Sequence, residues 1–431
     1  MNIKRNLLMA AFILAAVNLS AQNKSAGINL SLWKNISTQP YDSLQTTYFN
    51  LGLQSKMNRM NGLSVNILPS IVMDNLNGVQ ISGIANVVGK SMNGIQVAGI
   101  SNLVGESMSG IQLSGLTNIT GNNSNGGMIA GLINIAGNNL NGAAVSGLIN
   151  IAGDNLNGAA VGGLINISGD QSKGVFLSGL CNIVGDHSNG IKVSGLTNIS
   201  GDSSNGIDLS GLGNIVGDSY SGVMGSGLFN LTGGNMTGIQ LSAISNFVGG
   251  NLRGMQVGLF NYVLKEANGL QIGLVNYYKN DMKGFQIGLV NANPDTRVQL
   301  MMFGGNRTKT NIAARFKNEL FYTILGGGTH YLDFSDKFSA TAFYRAGIAL
   351  PLYKNLSISG DLGYQHIEML DNKSETIPAR LYALQARLNL EYSISKKLSV
   401  FVTGGYGGSR YYNKSRTYDK GVIAEAGIVL F

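Results

Sequence analysis

Residues 78–93 read GVQISGIANVVGKSMN, and residues 94–109 repeat the pattern as GIQVAGISNLVGESMS. The leading glycine recurs every 16 positions from Gly78 to Gly254, and an asparagine keeps step with it eight residues later. After Asn246 the asparagine spacing shortens to 15. A fixed period is typical of repeat architectures, in which each unit packs only on its neighbours. We therefore predict a repeat array over residues 62–294, made of fourteen units and a degenerate first one.

Each unit contains two short runs of alternating character, which favour two strands of about five residues. Such strands are too short to cross a bilayer, which needs about 9–11 residues per strand. They can stack on their copies in the next unit, so the array is predicted to be a β-solenoid with a ladder of Ile, Val and Leu inside. The Ser-Gly and Gly-Asp/Asn pairs are predicted turns, because these residues tolerate positive φ. A mostly uncharged, Gln-rich outer face is expected at Gln80, Gln96, Gln112, Ala143, Ala159, Phe176, Lys192, Asp208, Gln240 and Gln256.

Two polar columns follow from the period. Stacked amides of the asparagine column, from Asn86 to Asn291, are expected to bond to each other and to the backbone; an exposed row that binds a ligand is the alternative. A second column holds Asp154, Asp170, Asp186, Asp202 and Asp218. Stacked carboxylates repel, so a bound cation is conceivable. Because the same column also holds Lys90, Glu106 and Asn122, turn chemistry is the favoured reading.

The N-terminus predicts export. Lys4 and Arg5 precede an apolar run over 7–17 and a small-residue site ending at Ala21, which describes a signal peptide over residues 1–21. Residues 22–61 form an N-terminal segment in which Asn29–Trp33 and Tyr48–Leu53 could make a hairpin.

Residues 295–431 change to long alternating strands. In 381–394 one parity holds Tyr382, Leu384, Leu388 and Tyr392, while the other is mostly polar, as an outer-membrane strand requires. An antiparallel, eight-stranded, outer-membrane-type β-barrel is therefore predicted; a soluble sandwich or small soluble barrel is the alternative. The expected strands are 298–304, 309–317, 319–327, 338–350, 355–367, 379–394, 398–411 and 420–431.

A barrel of eight strands is filled by its own side chains, which argues against a pore. Arg345, Asp361, Arg387 and Glu391 have the inward parity, and we expect them to form an internal ion-pair network. Glu425 shares its parity with the terminal Phe431, so the last strand fits the lipid-facing rule imperfectly.

Composition excludes several classes of site. Of 431 residues, 12% are charged and 61 are glycine, and the net charge of +8 forms no basic stripe for nucleic acid. One cysteine, Cys181, makes no disulfide within the chain and no thiolate metal site. No catalytic, cofactor-binding or metal-ligating residue is assigned. The alternative is a barrel-borne hydrolase or acyltransferase, in which His330 or His366 would act with the nearby Asp333, Ser335 and Glu368.

The repeat is similar to the surface-repeat proteins of spirochaetes and Bacteroidetes, above all in Gly269-Leu-Gln-Ile-Gly-Leu-Val-Asn276. The resemblance covers about 62–294, and the rest resembles family members that end in a barrel. It implies a non-enzymatic protein of the outer membrane or cell surface of a Gram-negative-type bacterium. It transfers no functional residues.

We therefore expect a structural or adhesive role, with outer-membrane lipid and an envelope or host-surface macromolecule as partners. The side of the membrane that carries the repeats stays open. Long loops facing outward would place the array in the periplasm, whereas the resemblance implies the surface.

Overall fold

The computed structural model describes residues 27–33, 36–39, 41, 45–318, 320–373, 377–412 and 416–431. The predicted signal peptide over 1–21 lies outside these residues. The described part of the chain is all-β and contains no helix; accordingly, none of its segments is a helix long and apolar enough to cross a membrane. The repeats form a β-solenoid of about 15 turns, as predicted, and a C-terminal antiparallel sheet has nine strands. The chain divides into two compact units, Met1–Ser242 and Ala243–Phe431.

Unit 1 alternates long and short strands. Its described strands are β1 Ile28–Trp33, β2 Ile36–Ser37, β3 Thr46–Gly52, β4 Ser55–Met57, β5 Arg59–Asn66, β6 Ser70–Val72, β7 Leu76–Ser82, β8 Ala85–Val88, β9 Met92–Ala98, β10 Ser101–Val104, β11 Met108–Ser114, β12 Thr117–Thr120, β13 Ser124–Ala130, β14 Ile133–Ala136, β15 Leu140–Ser146, β16 Ile149–Ala152, β17 Leu156–Gly162, β18 Ile165–Ser168, β19 Ser172–Ser178, β20 Cys181–Val184, β21 Ser188–Ser194, β22 Thr197–Ser200, β23 Ser204–Ser210, β24 Gly213–Val216, β25 Tyr220–Ser226, β26 Phe229–Thr232 and β27 Met236–Ser242.

Each long strand pairs in parallel and in register with the long strand of the next repeat, and each short strand pairs in the same way with the next short strand. β9 pairs with β11 so that Gly94 is opposite Gly110, and β10 pairs with β12 so that Asn102 is opposite Asn118. Equivalent residues of successive coils therefore stand in straight columns. The N-terminal segment joins the same ladder, because β1 pairs in parallel with β3 and β3 with β5. The expected hairpin between its two runs is therefore wrong.

The leading glycine of each repeat has a backbone conformation that other residues rarely adopt. Gly110 lies inside β11 with φ of 131°, and a Cβ there would lie 1.9 Å from the carbonyl oxygen of Gly94. We expected positive φ at the turn glycines instead, and that was wrong. The turn glycine Gly99 is not among the residues with positive φ; a Cβ on it would lie 2.0 Å from the Gly83 oxygen. Glycine is required at this turn because the backbone of the previous coil lies too close for a Cβ atom, and not because φ is positive.

The long strands of unit 1 hold the opposite parity from the predicted one. Met92 and Gln96 are buried, whereas Ile95 is 38% exposed; on the short strands Asn102 and Val104 are buried. The predicted Ile, Val and Leu ladder of the long strands thus faces outward. Since strand side chains alternate with a period of two, one step of parity reverses every side chain.

Unit 2 contains further coils and then the C-terminal sheet. The coil strands are β28 Ser245–Val248, β29 Leu252–Val257, β30 Phe260–Val263, β31 Ala267–Ile272, β32 Val275–Tyr278, β33 Met282–Ile287 and β34 Val290–Ala292. The sheet strands are β35 Arg297–Gly305, β36 Asn311–Asn318, β37 Phe321–Gly328, β38 Leu332–Asp333, β39 Lys337–Tyr353, β40 Leu356–Asn372, β41 Arg380–Ser395, β42 Leu398–Tyr411 and β43 Thr417–Leu430.

Eight of these sheet strands correspond to the eight predicted ones; β38 is an additional two-residue strand. Neighbours in sequence pair antiparallel from β35 to β37 and from β38 to β43. Two further antiparallel ladders join β35 to β43 and β37 to β39. The last coil contacts this sheet through its carbonyl oxygens, because Tyr344 donates from its hydroxyl to Gly288 O at 2.7 Å and Asn318 donates to Asn291 O at 2.9 Å.

Candidate functional site

The Gln-rich positions lie inside the solenoid. Gln80, Gln96 and Gln112 are fully buried, as are Lys192 and Asp208 farther along the same column. Gln96 Nε2 donates to Gln80 Oε1 at 3.0 Å, and Gln112 Nε2 donates to Gln96 Oε1 at 2.8 Å. The predicted outer face is therefore wrong for this column; Ala143 and Ala159, which we placed in it, belong to the neighbouring column and are exposed. The glutamine side chains turn inward because their amides pair from coil to coil, which leaves the β-branched residues of the same strands outside.

The asparagine column is a buried amide ladder, as predicted. Asn150 Nδ2 donates to Asn166 Oδ1 at 2.9 Å and to Val161 O at 2.9 Å, and Asn150 Oδ1 accepts from Asn134 at 2.9 Å. Each of these amides links its own coil to the next through both a side chain and a backbone carbonyl. The column from Asn86 to Asn276 is buried, so it offers no exposed row for a ligand.

One ion pair is buried in the interior of unit 1. Lys192 Nζ lies 3.3 Å from Asp208 Oδ2, and their side chains are 1% and 2% exposed. Lys192 also donates to Ser200 and, at 3.1 Å, to Ser204, which in turn donates to Asp208 at 3.1 Å. Burial lowers the pKa of Lys192 and raises the pKa of Asp208, although each partner opposes the shift of the other. The sequence carried a signal for this pair: a lysine and an aspartate 16 residues apart occupy one column.

The outer surface of unit 1 is apolar over several columns. Exposed residues include Ile95 and Ile111 on the long strands, Leu103 on a short strand, and the corner residues Ile100 and Leu116. Monomeric proteins rarely leave apolar patches larger than a few hundred Å² in water. This surface is therefore the main candidate for interaction.

The backbone of the aspartate column continues the hydrogen bonds between successive coils. The backbone N–H of Asp170 donates to Asp154 O at 2.8 Å, and that of Asp186 donates to Asp170 O at 2.8 Å. Asp202 lies 3.3 Å from His187 Nδ1. Within the described ranges, no group of three or more His, Cys, Asp or Glu residues is placed to hold a metal.

The candidate catalytic residues of the C-terminal region fall into separate places. Ser335 Oγ donates to Asp333 Oδ1 at 2.5 Å. The ring of His366 is bonded to Tyr412 Oη at 2.7 Å and to Glu368 Oε2 at 3.2 Å. The backbone N–H of buried His330 donates to Ser339 Oγ at 3.1 Å. No hydrogen bond in the described part of the chain joins Ser335 to either histidine.

The buried side of the C-terminal sheet carries the predicted ionic network, with two members that the sequence analysis missed. Arg345 Nη1 lies 3.1 Å from Glu425 Oε2, and Arg387 Nε lies 3.3 Å from the same oxygen. Glu391 is paired instead with Arg315, at 2.6 and 3.0 Å. Arg387 lies 3.9 Å from Asp361.

Glu425 therefore has the buried parity, and the exposed parity of β43 is that of Val422, Ala424 and Ala426. The apparent misfit of the last strand came from counting its parity from Phe431, which lies beyond the end of the strand.

The comparisons with known proteins give no assignment: no family model matches the chain, and no curated protein matches it.

Proposed function

We propose that the C-terminal sheet is a closed, eight-stranded β-barrel that anchors this protein in the outer membrane of a Gram-negative-type bacterium. The pairings support closure. With β38 set aside, each of the eight remaining strands has two antiparallel neighbours, because β35 joins β43 and β37 joins β39.

The distribution of charge along the long strands carries the membrane proposal. On β41 the exposed parity runs from Tyr382 to Ile394 without a charge, while the buried parity includes Arg387 and Glu391. The exposed parity of β39, from Ala340 to Leu352, is also uncharged. A lipid-facing apolar band around a polar interior is what a transmembrane barrel requires.

Aromatic residues mark one end of this band. Tyr364 and Tyr382 stack with ring centroids 6.1 Å apart, and Tyr412 lies 5.2 Å from Tyr382. The exposed ion pair between Glu368 and Arg380, at 2.9 Å, lies just beyond these tyrosines on β40 and β41. Aromatic girdles that separate an apolar band from charged ends are typical of membrane interfaces.

In this proposal the protein is a non-enzymatic envelope component, and the solenoid has a structural or adhesive role. The apolar outer columns of unit 1 support an interaction function, because a surface of that composition is stabilised by contact with a partner. The resemblance to surface-repeat proteins agrees with this role.

Two measurements test the proposal. The full-length protein should fractionate with outer membranes and should run on an unheated SDS gel as a folded form that shifts on boiling. A chain found only in soluble fractions would refute the anchor.

Cys181, the single cysteine, is half-buried in a short strand of the solenoid and reports the side of the membrane. Labelling by an impermeant maleimide on intact cells would place the array outside; labelling only after permeabilisation would place it in the periplasm.

A further inference from the structure

The buried Lys192–Asp208 pair occupies one interior column of unit 1, on two strands that pair directly. Lys192 of β21 is in register with Asp208 of β23. The residues before and after them in this column are Phe176 and Met224, and both are buried. The amine and the carboxyl group therefore face each other in an apolar interior, and they cannot move apart unless the two coils separate.

From this geometry we infer that Lys192 and Asp208 condense after folding into an amide between their side chains, which joins two neighbouring coils covalently. In the structure the pair is unlinked, with Lys192 Nζ 3.3 Å from Asp208 Oδ2, the oxygen bonded to the carbon that the amine attacks. Groups held at about 3–3.5 Å in a suitable orientation can react with effective molarities on the order of 10⁵–10⁸ M. The inference goes beyond the proposed function and is independent of the membrane anchor.

Burial favours the protonation states that this reaction needs, a neutral amine and a protonated carboxyl group. Desolvation lowers the pKa of Lys192 and raises the pKa of Asp208, although each charge opposes the shift of the other. Asp208 Oδ1 accepts no hydrogen bond from the residues that the structure describes, so the carboxylate is poorly stabilised as an anion. The amide removes both charges from the apolar interior, which favours the product.

Ser204 lies between the two reacting groups and can carry protons from one to the other. Its hydroxyl accepts from Lys192 Nζ at 3.1 Å and donates to Asp208 Oδ2 at 3.1 Å. In the neutral pair, the lone pair of Nζ attacks Asp208 Cγ, and the N–C bond forms. One proton of Nζ passes through the Ser204 hydroxyl to the protonated Oδ2, the C–Oδ2 bond breaks, and Oδ2 leaves as one water. Oδ1 remains as the amide carbonyl oxygen, so atoms and charges balance without an oxidant or reductant.

A second lysine–aspartate pair in the array provides an internal control. Lys90 Nζ lies 2.9 Å from Asp74 Oδ1, closer than in the buried pair, and these two residues are also 16 positions apart. The Lys90 side chain is 57% exposed, however, and Arg59 also contacts Asp74, at 2.7 Å. The hydrogen bonds from Arg59 and Lys90 lower the pKa of Asp74, and the bond to Asp74 raises the pKa of Lys90. Both groups therefore stay charged, and we expect no amide at this pair.

Tryptic mapping of the full-length protein tests the bond, because trypsin does not cut after an amidated lysine. The unlinked chain releases residues 174–192 and 193–253 as separate peptides. The linked chain releases 174–253 as one peptide that is lighter by one water. Purified, folded protein is incubated, samples are denatured and digested at intervals, and mass spectrometry measures the linked fraction. Lys192→Arg keeps the cation but cannot form the amide, so it is the negative control.

The 174–253 peptide is expected to accumulate with time in the wild type, while Lys90 is cut in every sample. Hydrogen exchange on the same protein measures whether β21 and β23 are packed. Complete cutting at Lys192 in protein with protected β21 and β23 would overturn the inference, and so would the absence of protection, because the reaction needs a buried pair. Equal linkage of Lys90 to Asp74 would overturn it as well, since burial would then not select the pair.

Two serine variants test the proton path. Ser200 and Ser204 both accept a hydrogen bond from Lys192, but only the Ser204 hydroxyl also bonds to the Asp208 carboxyl group. Ser204→Ala should therefore slow the linkage by about 10²-fold or more, the usual contribution of a positioned proton carrier. Ser200→Ala should not slow it, because the path from Nζ to Oδ2 is intact. Equal slowing in the two variants would overturn the role of Ser204.

Discussion

Removing the lysine of the buried Lys192–Asp208 pair should destabilise the coils around it strongly. In Lys192→Gln, Asp208 keeps the Ser204 hydroxyl, at 3.1 Å, but loses the cation at 3.3 Å. Its Oδ1 atom already has no hydrogen-bond partner among the residues that the structure describes. Breaking a buried pair by removing one partner costs about 3–5 kcal/mol. The double variant Lys192→Gln/Asp208→Gln replaces the pair with stacked amides like those of Gln80 and Gln96, so it should recover most of that loss.

The loss in the single variant should also depend on pH. Burial raises the pKa of Asp208 even with Lys192 present, and the lysine was opposing that shift. A carboxyl whose folded pKa lies above its unfolded value favours folding while it is protonated and loses that contribution as pH rises. From about pH 4 upward, stability should therefore fall by up to about 1.4 kcal/mol per pH unit, until the folded pKa is passed. The intact pair holds one proton in the folded state whichever partner carries it, so the wild type should show no such slope.

Hydrogen exchange of the full-length protein measures this locally. The opening free energies of β21 and β23 should drop in Lys192→Gln, more at pH 8 than at pH 5, while the double variant stays near wild type at both. Equal stabilities of the single and double variants, or a pH-independent loss, would refute the buried-charge reasoning.

Three further predictions concern single residues. Gly126→Ala should cost at least about 1–2 kcal/mol, because φ of 131° is unfavourable for alanine and its Cβ would lie 2.0 Å from a backbone oxygen. Gly127→Ala should be tolerated, because its Cβ would meet only a side chain, at 3.9 Å. Denaturation of the two variants compares their free energies of unfolding. Asn150→Leu should cost about 1–3 kcal/mol by hydrogen exchange, since it leaves buried amide partners unsatisfied, and Asn141→Leu, in an exposed ladder, should cost clearly less. Glu425→Ala removes the buried carboxylate that lies nearest to both Arg345 and Arg387, and should lower the stability of the C-terminal sheet by about 3–5 kcal/mol. The loss is seen as a lower temperature at which the folded gel form disappears; an unchanged temperature would contradict the network.

The period and the turn residues were sufficient to predict the solenoid, because a 16-residue repeat fixes which backbone groups meet. They did not fix which parity faces inward. Apolar residues normally mark the interior, and that rule chose Ile95 and its equivalents over Gln96. The amide ladder reverses the rule, since a buried glutamine is stable when its neighbour in the next coil completes its hydrogen bonds. Met128 and Phe176 in the glutamine column were the signal that could have corrected the parity.

In the C-terminal region, alternation over 14 to 17 residues was long enough to fix both the strands and the inward charges. Which charges pair could not be predicted. Arg315 and Glu391 meet across 76 residues of sequence, and such contacts depend on strand register, which the pattern of one strand does not contain.

The straight columns of unit 1 also bear on how its gene can change. Because each coil presents the same positions to both neighbours, an in-frame deletion or duplication of 16 residues between Gly94 and Gly174 rejoins every column in register. Recombination between neighbouring repeats would therefore shorten or lengthen the array in whole-coil steps without rebuilding any strand. Loss of only one of the coils that carry Lys192 and Asp208 is different, because it leaves the other charge alone in the interior. The number of coils can therefore change freely, except where the interior of the array holds the charged side chains of Lys192 and Asp208.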